Sequence, residues 1–312
     1  MKIGLDISGG DFAPRANVLG AILALELLPE DVKLCLIGSA GEINSILSEK
    51  SINSNRLEVI DAPDVITMDD HPTRAIPQKP NSSISIGFDL LSKGEINSFA
   101  STGNTGAMLV GSIYKVNSIP GVIRPCITSI LPMVNGGDSI LLDVGANADC
   151  KPDVLYQFAI LGSLYAKYVH QVENPKVALL NIGEEESKGN LLTQSAYKLM
   201  DGTTDFNFIG NIEGRDLFHG KADVIVCDGF TGNIVLKQAE GIYTLMNERN
   251  IDDQYFNRFN YENYGGTPIL GVNSDVIIGH GISNDIAVKN MLIHAHDVAK
   301  SGLTKKIKEA FK

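Results

Sequence analysis

The apolar residues of this 312-residue chain alternate between two rhythms. Short unbroken apolar runs read as strands covered on both faces, and longer runs with helical spacing follow them. The clearest case is Ala222 to Lys237: the run Val224–Cys227, the polar hexapeptide Asp228-Gly229-Phe230-Thr231-Gly232-Asn233, then a helical pattern from Ile234. Four more stretches share this grammar. Phe99–Ser101 leads into TGNTGA, Leu141–Val144 into GANADCKPD, Leu179–Ile182 into GEEESKGN, and Val276–Ile278 into GHGISND. The pattern predicts an α/β fold, a largely parallel or mixed sheet with flanking helices. In such a sheet the polar loops gather at the carboxyl ends of the strands, where ligands bind.

In chain order the same reading gives strands at Lys2–Ile7, Val32–Ile37, Leu57–Ile60, Phe99–Ser101, Ile123–Met133, Ser139–Val144, Val177–Ile182, Phe206–Ile209, Val224–Cys227 and Val276–Gly279. Helices are expected at Ala16–Leu28, Gly41–Glu49, from the Ser82-Ser83 cap to about Lys93, and at Pro152–Val169, Leu191–Met200, Ile234–Arg249 and Asp285–Ala299, with a short basic helix at the end. Asn135-Gly136-Gly137-Asp138 marks a hairpin, so one strand pair is antiparallel. The four prolines of Asp61–Pro80 predict mainly a loop, and 250–266 reads as irregular. There is no linker or fixed-period repeat, so residues 1–312 are read as a single domain.

Composition narrows the class. A hydrophobic content of 44% fits a globular chain. No apolar run reaches the roughly 20 residues of a membrane span, and Asp6 breaks the apolar start too early for a signal peptide. Cys35, Cys126, Cys150 and Cys227 are widely spaced, which suits reduced thiols in the cytoplasm and not a zinc site. The formal charge of -11 argues against a nucleic-acid binder.

Several motifs are near misses. Gly214–Lys221 spaces its glycines wrongly for a P-loop and ends in Ala222, GHGISN puts Asn284 where a dinucleotide fingerprint has its third glycine, and no GxSxG elbow occurs. His294 and His296 are two apart on a helix and face different ways, so they are not a metal pair. Glu184-Glu185-Glu186 suits either a divalent cation or a solvated helix start. Lys188 is either a surface lysine or a cation at the crevice mouth, and His280, flanked by two glycines, can donate or relay a proton. Asn104, Asn147 and Asn233 either shape their turns or bind an anion or carbonyl. The residues alone thus give an α/β enzyme with a phosphate-friendly crevice and no side-chain nucleophile.

Seven motifs carry a more specific resemblance: DISGGDFAP (Asp6–Pro14), STGNTGA (Ser101–Ala107), LDVGANADCKP (Leu142–Pro152), LLNIGEEESKGN (Leu179–Asn190), FIGNIEGRD (Phe208–Asp216), DVIVCDGFTGNIVLK (Asp223–Lys237), and YGGTPILGV with VIIGHGISN (Tyr264–Asn284). In this order the chain resembles the bacterial acyl-carrier-protein:phosphate acyltransferases, the PlsX family of phospholipid synthesis. The resemblance implies a fold similar to isocitrate and isopropylmalate dehydrogenases. It implies transfer of a fatty acyl group from acyl carrier protein to inorganic phosphate, giving acyl phosphate, with no cofactor and no metal. It also implies a homodimer. Phosphate is itself the nucleophile, so the missing elbow is expected.

On this resemblance Lys188, His280, Asn233 and Asp228 are the expected catalytic groups. Asp6, Gly10, Asp11, Ser101, Asn104, Thr105, Gly106, Asn147, Thr231 and Gly232 are expected around phosphate and substrate. Arg215, Lys221, Lys237 and Arg124 are the expected patch for the acidic carrier protein. Two departures stand out. The family's basic run is thin and proline-rich at Arg74–Pro80, and Gly241–Tyr264 is short, with a net charge of -2 from Arg249 and Arg258 against Glu248, Asp252, Asp253 and Glu262. That balance predicts weak membrane association, with Tyr255, Phe256 and Phe259 left to dock on lipid or on a partner subunit. Competing readings are a phosphate acetyltransferase using acyl-CoA, a metal- and NAD-dependent decarboxylating dehydrogenase, which would need an arginine cluster the chain lacks, and a non-catalytic scaffold for lipid enzymes.

Overall fold

A computed structural model describes residues 1–312 and divides them into two compact units. Unit 1 is Met1–Ser118 with Tyr261–Lys300, and unit 2 is Ile119–Asn260 with Ser301–Lys312.

In unit 1 the strands are β1 (Lys2–Asp6), β2 (Lys33–Gly38), β3 (Leu57–Asp61), β4 (Ser98–Ser101), β10 (Gly266–Leu270) and β11 (Asp275–Gly279). They lie in the order β3-β2-β1-β4-β11-β10, all parallel except β10 against β11. The helices are α1 (Arg15–Leu25), α2 (Ala40–Glu49), α3 (Pro72–Gln78), α4 (Ser83–Ser92), α5 (Thr105–Gly111) and α9 (Asp285–Ser301). Their apolar stripes cover a sheet whose central strands are buried on both faces: Ile3, Leu5, Leu34, Leu36, Phe99 and Ile277 are all inaccessible. Ser82 caps α4 as its spacing predicts, accepting Ser85 N–H at 3.2 Å.

Unit 2 holds β5 (Cys126–Pro132), β6 (Asp138–Leu142), β7 (Lys176–Asn181), β8 (Asn207–Glu213) and β9 (Val224–Val226) in the order β5-β6-β9-β7-β8. The hairpin signal is met: β5 and β6 are antiparallel, with Pro132 opposite Asp138, and the remaining pairs are parallel. The helices are α6 (Pro152–Tyr168), α7 (Leu191–Met200), α8 (Gly229–Glu248) and α10 (Leu303–Ala310). All five strand–loop–helix passages of the sequence reading are present: β4–α5, β6–α6, β7–α7, β9–α8 and β11–α9.

The structure corrects four expectations. Asp61–Pro80 contains a helix, α3, because Pro72 sits at its first position, where a missing N–H costs nothing, and Pro77 comes only one residue before the helix ends, so a single helical bond is forfeited. The hexapeptide Asp228–Asn233 is not a turn: Asp228 is the N-cap and the helix starts at Gly229, five residues earlier than the apolar pattern suggests. The 250–266 stretch holds two 3₁₀ turns, Phe256–Phe259 and Tyr261–Asn263, followed by β10, which the reading missed. β8 runs to Glu213 because Gly210, at φ +96°, carries the chain through a register shift in the β7–β8 pairing.

Candidate active site

Unit 1 gathers Asp6, Gly10, Asp11, Ser101, Asn104 and His280 at the carboxyl ends of β1, β4 and β11. Asp6 is buried at the centre and accepts the Ser101 hydroxyl at 2.6 Å, Ser8 N–H at 2.9 Å and Gly9 N–H at 3.1 Å. Burial pushes its carboxyl above the usual range, and the hydrogen bond from Ser101 opposes this. Asp6 therefore organises the loops, since its oxygens already have partners. Asp11 N–H donates to Gly281 O at 2.7 Å, which ties the β1 loop to the His280 loop. The His280 ring lies 5.3 Å from the Tyr261 ring.

Asn104 caps α5, accepting Ala107 N–H at 2.9 Å, and its amide donates to the carbonyls of Thr67, Met68 and Asp70. Its side chain is fully engaged in shaping the loop. The backbone N–H groups of Gly10, Thr105 and Gly106 have no protein partner, and the Thr105 side chain faces solvent. These are the open donors of unit 1.

Unit 2 repeats the device with Asp143, at the end of β6. The buried carboxylate accepts Ile127 N–H at 3.0 Å, Asn147 N–H at 2.6 Å and the Asn147 amide at 3.0 Å, with Ala146 N–H at 3.3 Å. Burial raises its carboxyl above the usual range, against the pull of these donors. Asn147 also donates to Pro125 O at 2.8 Å and accepts Gly229 N–H on its carbonyl at 2.8 Å, so it anchors the start of α8. Asp228 accepts both the N–H and the hydroxyl of Thr231 at 2.8 Å. Gly232 N–H turns back to Asp228 O at 3.0 Å as an ordinary helical bond. Thr231 and Gly232 are thus internally bonded, and the donors left open at this helix start are Phe230 N–H and the Asn233 carboxamide, which lies over Gly145.

Lys188 lies on the β7–α7 loop with its aliphatic stem packed over Gly183. Its ammonium has no ion pair although three glutamates precede it, and Glu184 pairs instead with Lys221 at 2.9 Å. Between this loop and the start of α8 is a cavity of 260 Å³. Leu155, Leu180 and Cys227 form its apolar floor. Asn181, Asn190, Thr193, Asp228 and Thr231 form the polar part of its wall.

The expected carrier patch is largely neutralised within the chain. Arg215 pairs with Glu213 at 2.8 Å, Lys221 also with Asp216 at 2.8 Å, and Lys237 with Glu240 at 2.7 Å. Arg124 donates to Asp149 O at 3.1 Å. The aromatic residues of 250–264 are internally employed too: Tyr255, Phe256 and Phe259 pack on one another, Phe259 on Phe218, and the Tyr255 hydroxyl donates to Pro132 O at 2.9 Å.

Sequence reasoning assigned no role to Asp143. The signal was present, a carboxylate inside the apolar run Leu141–Val144, where a charge must have several donors to persist. Asn181 and Thr193 carried no such signal, because only the fold brings them to the cavity wall.

A family model described as "Fatty acid synthesis protein" matches residues 1–306. The phosphate acyltransferase of Dictyoglomus turgidum is 40% identical over 328 residues, covering 99% of this chain and 97% of that protein. That of Heliobacterium modesticaldum is 44% identical over 313 residues, covering 94% and 92%. Among solved structures, a phosphotransacetylase from Streptococcus pyogenes superposes with a TM-score of 0.66 at 16% identity, covering 96% of this chain and 94% of that one. A 4-hydroxythreonine-4-phosphate dehydrogenase from Klebsiella pneumoniae gives 0.58 at 12%, covering 95% and 97%. These two likenesses concern the fold, which phosphotransacylases and this dehydrogenase share. The motif order, the full-length match and the relatives at 40% identity and above place this chain in the phosphate acyltransferase family, enzymes of fatty acid and lipid synthesis.

Proposed function

We propose that the enzyme transfers a fatty acyl group from acyl carrier protein to inorganic phosphate, releasing acyl phosphate and the free carrier thiol for phospholipid synthesis. The observation that carries this reading is the pair of open donors in unit 2. One is the unpaired Lys188 ammonium, on the β7–α7 loop beside an apolar-floored cavity, and the other the unbonded Asn233 carboxamide, near the start of α8 and over Gly145. A phosphate oxygen attacks the thioester carbonyl carbon, the carbonyl oxygen becomes an oxyanion, and its collapse breaks the C–S bond. The phosphate proton passes to the departing sulfur.

Lys188 would offset the charge of phosphate, and Asn233 with Phe230 N–H would stabilise the oxyanion in preorganised positions. Asp228 positions this turn through Thr231. Within unit 1, taken by itself, His280 and the open backbone donors of Gly10, Thr105 and Gly106 would offer an anion a separate set of polar groups. The family match runs through both units, which supports treating them as one acyltransferase domain. No helix is long and apolar enough to cross a membrane. Exposed Ile234, Ile242 and Leu245 on α8 support a homodimer formed over that helix.

The test is an assay with palmitoyl-carrier protein and phosphate, following acyl phosphate and free thiol. Both products should appear without added metal or nucleotide. Lys188→Ala and Asn233→Ala should each lower kcat/KM by about 10²-fold or more while the exposed sites leave melting unchanged. Rapid product from acetyl-CoA and none from the carrier substrate would replace this reading with an acyl-CoA-dependent phosphate acetyltransferase.

A further inference from the structure

The cavity of unit 2 has a chemistry of its own. Its floor of Leu155, Leu180 and Cys227 is almost inaccessible to solvent and purely apolar or thiol. Its polar wall is largely turned inward on itself. The Asn181 carboxamide accepts Ile182 N–H at 2.9 Å and donates to Lys188 O at 3.1 Å. The Asn190 side-chain Oδ1 accepts Thr193 N–H at 2.9 Å, and the Thr193 hydroxyl donates back to the Asn190 backbone carbonyl at 3.1 Å. Both Asp228 oxygens are taken by Thr231.

A polar guest would give up water here and find few partners, at a cost of about 1–3 kcal/mol for each unmatched group. An anionic guest would meet the Asp228 carboxylate and no cation in the wall. An alkyl chain gives up no hydrogen bonds on entry, and the burial of its surface offsets the freedom it loses.

We propose that this cavity seats the part of the acyl chain next to the thioester, and that Leu155, Leu180 and Thr193 set which chain lengths the enzyme prefers. The proposal rests on the acyl-transfer reading. The first turn of α8, which carries Asp228 and Thr231 into the cavity wall, also carries the open donors Phe230 N–H and Asn233. A carbonyl that accepts Phe230 N–H, at the helix end whose cap Asp228 lines the cavity, would bring its chain to the cavity mouth, whereas Asn233, two residues past Thr231, lies over Gly145. By proportion to the ~150 Å³ cavity that takes benzene, 260 Å³ holds about ten carbons. A longer chain would emerge over the lip, where Ile182 is 81% and Leu191 is 84% exposed, two apolar side chains that such a chain would cover.

The experiment compares kcat/KM for butyryl-, decanoyl- and palmitoyl-carrier protein in the full-length enzyme and in Leu155→Phe and Thr193→Phe. Each substitution fills the cavity, the first from its floor and the second from its partly exposed wall. Decanoyl and palmitoyl transfer should fall by about tenfold or more while butyryl transfer changes by less than about threefold. An equal fall at all three lengths, or an unchanged profile, in a variant that melts with the wild type overturns the proposal. If Leu155→Phe fails to fold, Thr193→Phe carries the same test. Decanoic acid should also raise the melting temperature of the wild type and not of Thr193→Phe, and a shift of the same size in both also overturns the proposal. A wild type that turns over no carrier substrate sinks the acyl-transfer reading instead, and the decanoic acid arm then still decides whether the cavity takes an alkyl chain.

Discussion

Asp6 and Asp143 stand at equivalent places in their units, at or just past the carboxyl end of a parallel-paired strand, buried, with backbone N–H groups turned onto them. Neither has an oxygen free for substrate, so both act by fixing the loops that hold the open donors. Asp143→Ala would orphan Ile127 N–H, Asn147 N–H and the Asn147 amide in the interior. The loss should be about 3 kcal/mol or more, read as a lower urea midpoint. His170 gives a second residue-scale prediction. Its Nε2 is buried without a partner, its ring stacks edge-on at 4.8 Å from Tyr165, and burial lowers its pKa against an opposing pull from Asp138. A histidine depressed in the fold takes its proton more readily when unfolded. Stability should therefore fall as pH drops from the unfolded value of about 6.5 toward the depressed folded one. His170→Phe should flatten that limb in urea titrations between about pH 5 and 7.

Helix α8 shows how one element combines two kinds of glycine. A Cβ on Gly229 would lie 2.7 Å from Asp143 Oδ2, and one on Gly232 would collide with Asp143 O, while one on Gly241 meets nothing within 4 Å. Gly232→Ala should push α8 off the Asp143 loop, lowering both melting temperature and turnover. Gly241→Ala should stabilise by about 0.5–1 kcal/mol, because alanine favours the helix and nothing stands in its way. This helix also marks the limit of what could be read from the chain. Its apolar spacing becomes periodic only at Ile234, and Asp-Gly-Phe-Thr-Gly-Asn has the composition of a turn. The helix begins at Gly229 because the Asp228 cap and the packing against Asp143 outweigh the low propensity of two glycines, and that packing is a tertiary fact. Where burial on both faces dictated the strand, as at Val177–Leu180 and Val224–Val226, the reading met the structure. Where one proline-rich or Gly-rich stretch had to be judged alone, as at α3 and β10, it did not. The candidate site followed the same rule: Asn104, Asn147 and Asp228 were recognised by type, yet only the bonds they make separate them, as loop-shaping groups, from Lys188 and Asn233.

Electrostatics act on the molecule as a whole. If the acyl donor is an acidic carrier protein, as proposed, a chain of net charge -11 works against its own long-range field, which only local cations can offset. Of the four candidate cations Arg215, Lys221 and Lys237 are already in ion pairs, and the exposed Arg124 is bonded only to a carbonyl. The same deficit of positive charge, with Tyr255, Phe256 and Phe259 packed on one another, leaves little to hold an anionic membrane. Cosedimentation with anionic vesicles should be weak. For the carrier, raising ionic strength from about 10 to 150 mM shortens the screening length from about 30 to 8 Å. Repulsion between the two acidic proteins is then screened while short-range contacts persist. We expect kcat/KM for the carrier substrate to rise across that range. Arg124→Glu should raise KM with little change in kcat, because it alters encounter and not chemistry. A fall of kcat/KM with salt would mean that a local basic surface outweighs the field of the whole chain, and the ion pairs around Arg215, Lys221 and Lys237 would then have to open when the carrier docks.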